Sequence, residues 1–129
     1  MTGIVTSLLL LVLAAPKGPA VRFVNPPGLA KSARYSHVAE VTRGRLILVS
    51  GQVAQDVGGN PVGAGDMAAQ TRQVFENLKA ALAASGATFK DVVKLTSYIV
   101  DMSQIDKYRE IRQEYLKGNP VPPTSTTVA

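Results

Sequence analysis

Few side chains in this sequence are equipped for covalent or metal chemistry. It has no cysteine, which excludes thiol nucleophiles, disulfide scaffolds and Cys-ligated zinc or iron–sulfur centres. His37 is its single histidine, so a His-rich metal centre within one chain is excluded, and a Ser-His-Asp triad would have only that imidazole to draw on. Gly51, Gly58, Gly59, Gly63 and Gly65 suggest a phosphate cradle. Neither G-K-[ST] nor G-x-G-x-x-G spacing accompanies them, however, and residues 51–66 read as loop. With three Phe, four Tyr and no Trp, stacking platforms for single-stranded nucleic acid are poorly supplied. The hydroxyl-rich run Thr124-Ser125-Thr126-Thr127 offers a polar lining for a small ligand.

The chain's 129 residues are one domain's worth, and 46% hydrophobic content is ordinary for a domain that buries a core. The net charge of +5 sits in the N-terminal third. There Lys17, Arg22, Lys31, Arg34, Arg43 and Arg45 face only Glu40, and from residue 46 onward acids and bases balance at eight each. A nucleic-acid patch is one reading. A solvated surface is the preferred one, because Pro, Gly and apolar stretches separate these cations. Ile4 to Ala15 is nearly all apolar. It is short for a transmembrane helix, which needs about 20 residues, and it has the length of a signal-peptide core but no preceding Lys or Arg. Residues 1–20 are therefore read as an apolar extension or leader, and residues 21–129 as the domain. Pro16, Pro19, Pro26 and Pro27 with Gly18 and Gly28 read as a linker before the folded body.

Next come the elements that must position any site. Ser36–Val41 alternates polar and apolar, Thr42-Arg43-Gly44 is a turn, and Arg45–Ser50 is an apolar run of strand length; together they predict a β-hairpin. Asp66 is placed to cap an amphipathic helix. Its stripe is Met67, Thr71, Val74, Phe75, Leu78, Ala81 and Leu82, and it stops near Ser85-Gly86. Val92–Val100 is rich in β-branched residues and predicts a strand. Ser103 to Asp106 fits an acidic capping box ahead of a second helix with Ile105, Tyr108, Ile111, Tyr115 and Leu116 on its apolar face. Gly118 and the prolines at 120, 122 and 123 end that helix, and Thr124–Val128 has strand character. The order β-β-α-β-α-β predicts an α+β layer with the helices on one face of a mixed sheet. Strands apolar on both sides then favour a second copy covering the other face.

Five segments in order carry a family resemblance: Leu48-Val49-Ser50-Gly51-Gln52; Gln70-Thr71-Arg72-Gln73 with Asn77-Leu78-Lys79-Ala80 running to Ser85-Gly86; Asp91-Val92-Val93-Lys94; Asp101; and a Pro-rich turn into Thr-Ser-Thr-Thr-Val. The chain from about Asn25 to Val128 resembles the RidA/YjgF family, also called endoribonuclease L-PSP. The resemblance implies a chorismate-mutase-like α+β domain, a homotrimer with ligand clefts between subunits, and hydrolysis of reactive enamines and imines to keto acids and ammonia. It implies no metal and no organic cofactor, no membrane association unless the leader supplies one, and a cytoplasmic location.

The resemblance also assigns site positions. An Arg after the Pro-rich turn grips the substrate carboxylate in the family, and here that position is Thr124. The resemblance matches Tyr35, whose phenol either hydrogen-bonds a ligand or packs, and Ser50 with Gly51, where the hydroxyl either orients a ligand or caps the turn; it assigns the backbone carbonyl of Thr126 to the attacking water. Arg109, where the family often has Asn, offers a guanidinium from another direction or else pairs with Asp106 or Gln113. The family's last strand, which carries a water-polarising Glu, has no counterpart before Ala129, and filling of its place by Ile4–Leu13 is one suggestion. Three functions follow as expectations: an enamine/imine hydrolase, a non-catalytic binder of a small metabolite, and, ranked last, an RNA-cleaving or translation-inhibiting protein.

Overall fold

The computed structural model describes residues 18–129; the apolar segment Ile4–Ala15 and the strand suggested for it lie outside them. The order is β1 (Val21–Val24), β2 (Val38–Val41), α1 (Met67–Ala84), β3 (Lys94–Tyr98), α2 (Ile105–Leu116) and β4 (Thr124–Val128), with single 3-10 turns at Phe89–Asp91 and Met102–Gln104. The predicted β-β-α-β-α-β order is present, and the strands pair in both senses. They do so as two separate ladders: β1 with β2 antiparallel, and β3 with β4 parallel.

The N-terminal hairpin differs from the expectation. β2 pairs with β1, a strand inside the segment read as linker, and Arg45–Ser50 forms no ladder. The V-R-F-V sequence explains the exchange. Its β-branched and aromatic residues suit a pleated surface, and Arg22 meets Glu40 directly across the pair at 2.6 Å. Leu46 and Leu48 are left to solvent on one side of an extended segment while Ile47 is half-buried.

Helix α1 follows its sequence pattern. Asp66 accepts a hydrogen bond from the Ala69 amide at 3.1 Å, and the helix closes through Gly86 at φ 72°, where any L side chain would be strained. Gly63, at φ 69°, is needed for a second reason: a Cβ there would lie 2.7 Å from that of Ala69. Helix α2 begins differently from the expectation. Asp101, capping the 3-10 turn that leads into α2, accepts from the Ser103 backbone amide (3.0 Å), the Ser103 hydroxyl (2.6 Å) and the Gln104 side-chain amide (2.8 Å), and no box forms at Ser103–Asp106. A carboxylate with three donors outcompetes a hydroxyl cap, and those donors hold its pKa below the ordinary Asp value.

Helix α1 packs against α2, and α2 meets the β3–β4 pair through the hydrogen bond between the Tyr108 and Ser97 hydroxyls. The core joins Phe75 of α1, Tyr108 of α2 and Ile99 beyond β3, with Met67, Leu78, Phe89, Ile105 and Tyr115 against them. Tyr115 stacks on Phe75 with ring centres 4.9 Å apart, and its hydroxyl donates to Glu76 at 2.9 Å. Ser36 is buried and ties the start of β2 to the Pro-rich turn, its hydroxyl donating to the Pro122 carbonyl at 2.6 Å.

Candidate functional site

The Pro-rich turn delivers β4 alongside β3 in parallel register, Lys94 opposite Thr124 and Ser97 opposite Thr127. Strand alternation divides β4's hydroxyls between two faces. Ser125 and Thr127 share the helix side with Leu95 and Ser97, whose hydroxyl is hydrogen-bonded to the Tyr108 hydroxyl of α2. Thr124 and Thr126 share the outer side with Lys94 and Thr96.

On the helix side lies a cavity of about 200 Å3 lined by Ser32, Arg34, Tyr35, Tyr108, Arg109, Arg112, Ser125 and Thr127. Its walls come from the 32–35 segment, from α2, where 109 and 112 are one turn apart, and from β4. The lining has hydroxyls and guanidiniums but no carboxylate. A larger cavity of about 290 Å3 shares Arg34, Arg109 and Arg112 and adds Asp106, Glu110 and Gln113. Electrostatically, the smaller cavity favours an anion.

The cations differ in how far they are already satisfied. Arg109 pairs with Asp106 at 3.0 Å, one of the partners expected for it. The guanidinium of Arg34 has no ion pair among the described residues. Arg112 is only 5% exposed. Its Nη1 donates to the Arg34 carbonyl at 3.2 Å, while its Nε and Nη2 are buried without a partner. Burial pulls its pKa below the ordinary arginine value, opposed weakly by Tyr108.

Of the residues singled out from the sequence, Tyr35 and Arg109 come together at this cavity; Ser50, Gly51, Thr124 and Thr126 are not among its lining. Tyr35 meets the His37 ring edge-on, centres 5.3 Å apart. His37 is itself tied down, with Nε2 2.8 Å from the Ala30 carbonyl. The Thr124 hydroxyl donates to the Val93 carbonyl at 3.0 Å. Thr126 takes a hydrogen bond from Lys94 Nζ at 2.5 Å, on the outer face. Sequence reasoning missed Arg112 and Arg34. Arg112 had a legible signal, because its position is flanked by Tyr108, Ile111, Tyr115 and Leu116 on the apolar stripe of α2, where an arginine is out of place.

The profile described as Endoribonuclease L-PSP matches residues 27–129. The protein DfrA of Myxococcus xanthus is 37% identical over 94 residues, 73% of this chain and 70% of that protein. The 2-iminobutanoate/2-iminopropanoate deaminase of Rattus norvegicus is 31% identical over 99 residues, 77% of this chain and 72% of that protein. The crystal structure of YyfB, from the conserved Rid protein family of Yersinia pestis, superposes with a TM-score of 0.75 at 34% identity, covering 85% of each chain. The chain belongs to the RidA/YjgF family, that of the matching Endoribonuclease L-PSP profile, and has its chorismate-mutase-like α+β fold.

Proposed function

We propose that this protein binds a small carboxylate-bearing enamine or imine in a cleft completed by another copy of the chain. It hydrolyses the carbon–nitrogen bond to a carbonyl product and ammonia. The similarity to proteins named 2-iminobutanoate/2-iminopropanoate deaminase supports the reaction class. The observation that carries the substrate class is the acid-free cavity where Arg34, Arg109 and Arg112 converge beside Tyr35. In this reading the Thr126 carbonyl holds the attacking water, Tyr35 hydrogen-bonds the substrate, and Ser50 and Gly51 orient it from the cleft rim. Residues 21–129 act as the domain, in the cytoplasm, without metal or organic cofactor. Among the described residues no helix is long and apolar enough to cross a membrane.

The homotrimer belongs to the same proposal. Tyr98 (79% exposed) and Val128 (41%) lie side by side on the outer face of the β3–β4 pair, and Leu46 and Leu48 are equally open. Exposed large apolar side chains of this kind are what a second copy covers.

A non-catalytic binder is the second reading. It is favoured by the lining of the cavity, which includes neither a carboxylate nor an imidazole to accept a proton from water. Ammonia release from freshly generated 2-aminoacrylate separates the two. A rate above that of solvent, proportional to added protein, supports the hydrolase. A rate equal to solvent removes it and leaves the binder.

A further inference from the structure

We infer that Arg112 is the receptor for a ligand carboxylate, held side-on at the floor of the cavity between α2, β4 and the 32–35 segment. Nothing in the family resemblance assigns this residue, and the position it does assign, Thr124, lies on the opposite face of β4.

A guanidinium has five N–H donors and no acceptor. Arg112 is buried, yet only Nη1 is engaged, by the neutral carbonyl of Arg34. A buried charge without a counter-charge is strongly unfavourable and persists where something compensates it. Among the described residues no carboxylate pairs with it.

The shape of the deficit selects the ligand. The unpartnered atoms are Nε and Nη2. These form one edge of the guanidinium plane, with their N–H bonds parallel, and that edge matches the two oxygens of a planar carboxylate. Nη1, on the other edge, is already taken. Ser125 and Thr127 supply hydroxyls on the facing wall, and the unpaired Arg34 adds positive potential. Because Nε and Nη2 are closed to solvent, a carboxylate reaches them only when neighbouring side chains shift. The assignment rests on the substrate class read from this same cavity, but it is separable from the hydrolase reading, since a carboxylate is held there whether or not ammonia is released.

The test titrates the full chain with sodium pyruvate, and in parallel with phosphate and chloride at matched ionic strength. It follows the melting temperature and the arginine Nε–Hε cross-peaks in a nitrogen–proton spectrum. Saturable stabilisation by pyruvate is expected, with one Nε–Hε peak moving, absent from the spectrum of Arg112→Lys. The apparent Kd for pyruvate should rise about tenfold or more in Arg112→Lys, which keeps the charge and loses the paired edge. The wild-type peak shift reads the contact even where a variant folds poorly. No saturable effect of pyruvate on the wild type, an unchanged Kd in Arg112→Lys, or equal binding of phosphate and pyruvate would each overturn the assignment. Ammonia release is no part of this readout, so failure of the hydrolase reading leaves the result intact.

Discussion

Replacing Arg112 by methionine should stabilise the protein. The native side chain contributes one hydrogen bond, Nη1 to the Arg34 carbonyl at 3.2 Å, which is long for a charged donor and worth about 1–2 kcal/mol. Against it stand two buried nitrogens without partners, each costing about 1–3 kcal/mol in lost hydration. Methionine keeps an unbranched apolar stem against Tyr108 and adds no polar group. The surplus is about 1–3 kcal/mol in favour of the variant, in line with apolar replacement of buried charges elsewhere. At about 4 °C per kcal/mol for a domain of this size, the melting temperature should rise by about 4–12 °C. Thermal melts followed by circular dichroism in chloride buffer at neutral pH measure it. Pyruvate should narrow the gap by stabilising only the wild type. A variant that melts lower by as much as a core truncation would refute the reasoning, because it would mean that Arg112 already has a counter-charge in the folded chain.

Three further outcomes follow from the same structure. Phe75→Ala removes a ring that is 3% exposed and stacked on Tyr115; a loss of about 3–5 kcal/mol is expected in urea unfolding, and a loss under 1 kcal/mol would mean the α1–α2 core is misplaced. Thr124→Arg forfeits the hydroxyl bond to Val93 and sets a second cation beside Lys94 in register; a stability cost of about 1–2 kcal/mol should accompany tighter carboxylate binding on the outer face of β4, both read by thermal shift with and without pyruvate. Acid should lower the melting temperature through Asp101, Glu76 and Glu114. The Ser103 hydrogen bond for Asp101, the Tyr115 hydroxyl for Glu76 and Arg72 for Glu114 hold their pKa values below the ordinary 3.8 for Asp and 4.5 for Glu. An unfolded chain then binds more protons than the native one, so their contribution is complete above about pH 5 and is lost as pH falls through the depressed values. A melting temperature flat between pH 5 and pH 2 would contradict it.

How much of this was legible beforehand depends on the range of the interaction concerned. Helix α1 could be read almost to the residue, because Asp66, the apolar stripe and Gly86 are local signals. The β3–β4 segments were legible too, from β-branched content and the prolines before Thr124. The pairing of β2 was not. Val21–Val24 is separated from β2 by Pro26, Pro27 and Gly28, and local turn chemistry pointed to Arg45–Ser50 instead. Sequence alone gives no measure of which distant segment a strand pairs with. The start of α2 was misassigned for a related reason: Ser103 is a sound cap, but Asp101 two residues earlier is a stronger acceptor. At the site, resemblance led to Thr124, whereas the convergence of Arg34, Tyr35 and Arg112 joins residues far apart in the chain. Of these only Arg112 carried a warning, as a charge on an apolar stripe.

The most direct test of the account is the initial rate of ammonia release from 2-aminoacrylate, measured against protein concentration across the range in which the chain assembles. A rate above solvent is expected, rising more steeply than linearly and becoming proportional once the oligomer is complete. A rate equal to solvent, or one strictly proportional down to concentrations at which the chain is monomeric, would contradict it.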